Sequence, residues 1–170
     1  MVKKFVSRFS SSIYVHTVRN AGMYCKNNKS SCPVSNLFSS NKDDVLQSDD
    51  DEQLLIVLPF TAQVRISAIN FVGPKNDARP VIVKLFINAT NMGFSDAEDF
   101  KPTQVLKLEA SDMDSGRLKE LNFVNFQRVN SITIFVEENA GADETILNQL
   151  TLFGEPTEEM DLASWQPIKG

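Results

Sequence analysis

The chain of 170 residues has one histidine, one tryptophan, two cysteines and seven glycines. Ser-His or Cys-His catalysis needs an imidazole to take the proton, and the one histidine, His16, lies inside the basic N-terminal segment, which argues against both. The two cysteines, Cys25 and Cys32, flank the Lys/Asn/Ser-rich segment Lys26 to Ser31. That spacing is neither a redox C-x-x-C nor a zinc-ligand pattern, so we read them as reduced thiols, with a local disulfide as the alternative. No segment approaches the ~20 apolar residues of a membrane-spanning helix, and the best run, Leu54 to Phe60, is interrupted by Pro59. A soluble protein with no membrane partner is the expectation. G-x-G-x-x-G, G-x-x-x-x-G-K-[ST] and H-E-x-x-H are absent, which leaves dinucleotide, nucleotide and zinc-protease readings without support. Few glycines and prolines exclude collagen and low-complexity classes, and a chain of this length buries enough surface for one self-sufficient domain.

Acids are missing from the first part of the chain. Lys3, Lys4, Arg8, Arg19, Lys26, Lys29 and Lys42 precede the first acid, Asp43, yet the formal net charge of the whole is −5. The body is therefore strongly acidic, and nucleic-acid phosphates would repel it. Its expected partners are proteins with basic or mixed surfaces, met at rates that fall as salt rises. The start, MVKKFVSRFSSSIYVHTVRN, has the Arg, Lys and Ser content of a mitochondrial transit peptide, with Phe5, Phe9 and Ile13 at helical spacing. Import is the alternative; the expectation is a basic arm on a monomeric protein of the cytoplasm and nucleus.

From Gln53 onward, strand-like runs alternate with turn clusters and no sustained 3.6-residue apolar period occurs. Gln53 to Phe60 is almost continuously apolar, as in a strand buried on both sides, with Pro59 marking an edge or bend. Val64 to Val72 alternates, placing Val64, Ile66, Ala68 and Asn70 on one face and Arg65, Ser67, Ile69 and Phe71 on the other. Pro80 to Asn88 resumes as a strand, and a polar excursion over Ala89 to Pro102 includes a short helical turn capped by Ser95. Gln104 to Ala110, two strands within Leu118 to Glu138 and a last strand over Thr145 to Gly154 complete the set. Many short strands joined by polar turns predict an all-β antiparallel sandwich. Parallel sheets need crossover helices that this chain has little room for.

The candidate interaction residues are few. Asp49, Asp50, Asp51 and Glu52 form an acid run without the alternate spacing and central glycine of a calcium loop, so no metal or other cofactor is expected. Its plain reading is a solvated loop, its functional one a docking patch. Phe86, Phe123, Phe126, Phe135 and Phe153 lie in strand runs and read as core. Phe94, beside Gly93 in the excursion, and Trp165 in the tail are harder to assign to a core, and exposed loop aromatics make good partner anchors.

Ser48 to Pro74 (SDDDEQLLIVLPFTAQVRISAINFVGP) resembles the PITH domain, the C-terminal module of thioredoxin-like proteins that associate with the proteasome. Val81–Asn88, Met92–Leu108, Leu121–Thr145 and Leu150–Pro156 fit the same family in order, and Ser35–Asp44 fits its lead-in. The short Cys-Leu-Asn element common in such domains is represented by Cys25-Lys26-Asn27. The resemblance implies a jelly-roll, galactose-binding-like sandwich over residues 35–156, between a basic segment 1–34 and a tail 157–170. It also implies non-catalytic attachment to the regulatory particle of the 26S proteasome. No thioredoxin half or C-x-x-C accompanies it here, so redox activity is not carried over and the chain is similar to stand-alone members. A lectin-like module binding a sugar or other small ligand is the alternative.

Overall fold

A computed structural model of the chain describes residues 22–157. Its strands are β1 (Tyr24–Lys26), β2 (Leu46–Gln47), β3 (Leu54–Val72), β4 (Pro80–Ile87), β5 (Gln104–Lys107), β6 (Lys119–Glu120), β7 (Val129–Asn139), β8 (Ile146–Leu147) and β9 (Gln149–Pro156). One short helix, α1 (Phe94–Asp99), lies between β4 and β5. The antiparallel order β1-β3-β7-β4-β5 makes one sheet, while β9 and β6 pair with β3 and β2 pairs with β8. The segment read as a basic N-terminal arm thus supplies a strand to the sheet, because Cys25 lies opposite Ile56.

β3 joins the two layers. Leu54–Pro59 pairs with β7, the register shifts between Pro59 and Val64, and Val64–Val72 pairs with β9. The sequence reading had two strands here; the chain runs through as one, and Pro59 marks the bend. Leu54, Ile56 and Leu58 enter the main core, while Leu55 joins a smaller cluster with Phe86, Met92, Ala97 and Phe135. Burial on both faces accounts for the unbroken apolar run.

The second half of β3 departs from simple alternation. Ser67 is an extra residue in the ladder, since Ile66 lies opposite Gly154 and Ala68 opposite Phe153. This bulge shifts the side-chain parity, so Val64, Ile66, Ile69 and Phe71 all reach the same core. The expected division of Ile69 and Phe71 from Val64 and Ile66 is thereby corrected. Gly154 permits the close approach: a Cβ there would sit 1.9 Å from the Arg65 carbonyl oxygen.

Between Leu118 and Glu138 there are likewise fewer strand residues than alternation predicts. β6 is followed by a 3-10 turn, Phe123–Phe126, before β7 begins. α1 is preceded by Gly93, not capped by Ser95, and the Asp96 carboxylate accepts the Gly93 N–H at 2.9 Å.

Candidate functional site

The connections gather at two ends of the sandwich. One end carries 48–53, 73–79 and 139–145. The Ser48 N–H donates to the Thr145 carbonyl at 3.0 Å, Thr145 Oγ1 donates to the Glu52 carbonyl at 2.6 Å, and the Ala142 N–H donates to the Asp77 carbonyl at 3.1 Å. These bonds bring Asp49, Asp50, Asp51 and Glu52 into one region with Asp77, Asp143 and Glu144.

Asn27 shapes the acid run. Its backbone has φ of 70°, a left-handed conformation that asparagine tolerates. From there Nδ2 donates to Asp51 Oδ1 at 2.8 Å and to the Gln53 carbonyl at 2.7 Å, while Oδ1 accepts the Asp50 N–H at 3.1 Å. Asp49, Asp50 and Asp51 are exposed, but Asp51 also accepts the Gln53 N–H at 2.9 Å and so serves the loop itself. Asp49 and Asp50 remain the outward acids of the run. Sequence reading passed over Asn27 as a positioning residue; its place after Cys25-Lys26 was the available signal.

Lys29 closes the rim of this end by pairing with Glu144 at 3.0 Å. Hydrogen bonds from Lys29 and then Gln47 hold the Glu144 carboxyl below its ordinary range, and the Glu144 bond in turn raises the Lys29 amine.

The opposite end carries 60–63, 88–92, 100–103 and 121–131, with the end of β9 beside it, the Thr103 N–H donating to the Leu85 carbonyl at 2.7 Å and the Thr157 N–H to the Gln63 carbonyl at 3.2 Å. Asn88, with φ of 59°, donates Nδ2 to the Arg128 carbonyl at 3.1 Å and accepts the Asn130 N–H at 2.7 Å. Thr133 Oγ1 donates to the Ala89 carbonyl at 2.7 Å. Charge is sparser here than at the other end and of both signs: Lys101 and Arg128 are exposed, and Glu155 pairs with Arg65 at 3.5 Å beside Gln63.

Phe123 is the largest correction among the aromatics. Expected in the core, it is 63% exposed, and Val124 beside it is 77% exposed. The burial is done by Phe126, which is fully enclosed. Phe100 and Val105 are also exposed. Phe94, expected as an outward anchor, is half-buried and meets the Phe135 ring edge-on at a centroid distance of 6.0 Å. Trp165 and His16 lie outside the described residues, as do Phe5, Phe9 and Ile13.

Cys25 and Cys32 are both free thiols. Burial pushes the Cys25 thiol up to about 12, despite an opposing backbone hydrogen bond at Leu55, so little thiolate exists near neutral pH. Among the described residues no cluster of three or more His, Cys, Asp or Glu is placed to hold a metal ion, and no helix is long and apolar enough to cross a membrane.

Comparison with known proteins agrees with this architecture. Thioredoxin-like protein 1 of Schizosaccharomyces pombe is 36% identical over 157 residues, covering 89% of this chain and 54% of that protein. PITH domain-containing protein 1 of Homo sapiens is 34% identical over 114 residues, covering 66% of this chain and 53% of that protein. The chain spans about half the length of the curated relatives it matches. Among solved structures, the paired CBM32-1 and CBM32-2 domains of Clostridium perfringens ZmpB, in complex with GalNAc, align with a TM-score of 0.63 at 11% identity. That alignment covers 92% of this chain and 38% of the other, and shows the galactose-binding-like jelly-roll fold. The family model of the PITH domain matches residues 6–167, and the chain belongs to the PITH domain family.

Proposed function

We propose that the chain is a non-catalytic protein-interaction module that associates with the regulatory particle of the 26S proteasome. The observation that carries this reading is membership of the PITH domain family together with similarity to a thioredoxin-like protein across most of the chain. The division of its surface supports it: an acidic loop end suits electrostatic encounter with a basic or mixed protein surface, and exposed apolar residues at the other end suit close docking. The half-buried, protonated thiol of Cys25 makes a poor nucleophile, which fits a binding role better than a redox one.

The test is binding of the tagged full-length chain to purified 26S proteasome at low salt. The reading expects stoichiometric retention on the assembly; a chain that elutes alone at every salt concentration refutes it. A sugar-binding role draws on the neighbour solved with GalNAc, but at 11% identity that likeness extends to the fold alone. A glycan array with no hits would remove it.

A further inference from the structure

We infer that residues Ile13 to Val18, ahead of the described part of the chain, cover an apolar groove between the start of β1 and the turn Val34–Phe38, so that the basic N-terminal segment is a docked part of the domain. This docking is intramolecular and does not depend on which partner the domain meets.

The walls of the groove are fixed by described residues. Met23, Val34, Ser35 and Phe38 line it, around a cavity of about 520 Å³. That is room for several side chains. Val34 is buried in the main core, while Met23 and Phe38 are half-buried against it and turn their remaining surface to the groove. The turn is held from both sides. The Asn36 N–H donates to the Pro33 carbonyl at 3.0 Å, Asn36 Nδ2 donates to the Val45 carbonyl at 2.9 Å, and Ser39 Oγ donates to Asp44 Oδ2 at 2.6 Å. A groove pre-formed in this way needs little ordering when it is filled.

Chain continuity, composition and charge select the occupant. The chain enters at Gly22, which lies against Pro59: a Cβ there would sit 2.9 Å from Pro59 Cγ. The next residue, Met23, already lines the groove. Ile13, Tyr14, Val15 and Val18 lie five to ten residues ahead of Met23, a reach of roughly 17–35 Å at full extension, so they meet the groove at high effective concentration. The family match begins at residue 6, so the matched domain includes this segment together with the sandwich. Charge then separates the two ends of the chain. Residues 1–21 hold Lys3, Lys4, Arg8 and Arg19 and no acid, while residues 22–157 hold nineteen acids and twelve bases. Residues 158–170 hold Glu158, Glu159 and Asp161 against Lys169 alone, so the body repels that tail and attracts the first segment. Beside the groove itself charge is mixed, with Lys42, Asp43 and Asp44 in the loop tied to the turn. Apolar contact therefore supplies the fit, and the wider field supplies the choice between segments.

Two experiments on the full chain decide the matter. In the first, amide exchange over 14–18 is compared with that of the same sequence as a free peptide, for the wild type, V15S/V18S, S35R and S40R. Ser35 is exposed and lines the groove, so S35R puts a long charged side chain where the segment lies; Ser40 is exposed outside it. Unchanged exchange in the interior of β7 certifies that each variant is folded. We expect the wild type and S40R to exchange about tenfold or more slowly than the peptide, and V15S/V18S and S35R to approach the peptide. Peptide-like exchange in the wild type, or equal exchange in S35R and the wild type or in S35R and S40R, overturns the proposal.

The second experiment identifies what lies in the groove. Tyr14 is replaced by p-benzoylphenylalanine in the purified chain, and light-induced adducts are mapped by peptide mass spectrometry in a mixture with isotope-labelled chain. Adducts to Met23 or to 34–38 of the same chain support the proposal. Adducts elsewhere, adducts to a second copy, or none overturn it. With Trp165 replaced likewise, adducts to 34–38 would make the acidic tail the occupant and overturn it as well. Neither experiment includes a partner, so the functional reading stands or falls separately.

Discussion

The two ends of this sandwich are built by similar means and left with different surfaces. At each, an asparagine with a left-handed backbone gathers neighbouring segments through its carboxamide: Asn27 at the acidic end and Asn88 at the other. The acidic end then displays Asp49 and Asp50, while the other displays Phe123 and Val124. Common construction with different decoration separates scaffold from function. Asn27 and Asn88 set where the loops go, and the outward residues set what they meet. In the proposed account, carboxylates steer over a distance of about a Debye length, roughly 10 Å at 0.1 M salt, and apolar contact fixes the complex at short range.

The comparison can be broken most severely at the strand that serves both ends. Gly154→Val would drive a side chain into the Arg65 carbonyl at the β3 bulge, and we expect a loss of about 3 kcal/mol or more. Urea unfolding should show it, and amide exchange should quicken at both ends together; a variant as stable as wild type would contradict the close approach. Asn27→Ala is the next largest, removing several hydrogen bonds from the acid run at a cost of about 1–3 kcal/mol. Exchange should rise over 48–53 and stay unchanged over 121–131. A uniform rise would mean that the ends are not independently organised.

Gln104→Ala should loosen only the end that carries Asn88 and Phe123. Its side chain accepts from the Asn122 N–H and donates to the Glu120 carbonyl at 3.3 Å, and we expect a loss of about 1 kcal/mol with faster exchange confined to 120–127. The smallest effect concerns Lys29→Met. The depressed Glu144 carboxyl contributes stability that is present above its ordinary pKa and lost as pH falls through the lowered value. The raised Lys29 amine contributes below its ordinary pKa and loses that contribution as pH rises through the elevated value. In Lys29→Met the Glu144 carboxyl should titrate closer to its ordinary pKa, read from its carbon-13 shift. An unchanged titration would assign the depression to Gln47 alone.

Much of this fold was legible because β strands buried on one or both faces leave marks in sequence. The apolar run before Pro59 and the β-branched run of β4 are such marks. What escaped notice arose from long-range register. Nothing local announces that Ser67 is an extra residue; the clue, Gly154, lies on the partner strand. Phe123 and Phe126 look alike within a run of β-formers, yet a 3-10 turn buries one and exposes the other. Phe94 looked like an anchor because its neighbours are polar, whereas α1 returns it to Phe135 on the outer side of the sheet. Residues on loops proved hardest to place, and they are where the proposed function lies.

The central claim is that this chain works by presenting its loop ends to a protein assembly. Hydrogen–deuterium exchange of the full chain, free and bound to purified 26S regulatory particle, tests it most directly. The account predicts slowed exchange over 121–131, with smaller changes over 48–53 and none in the interior of β3 or β7. Protection restricted to the sheet faces, or identical exchange in the two samples, would contradict it.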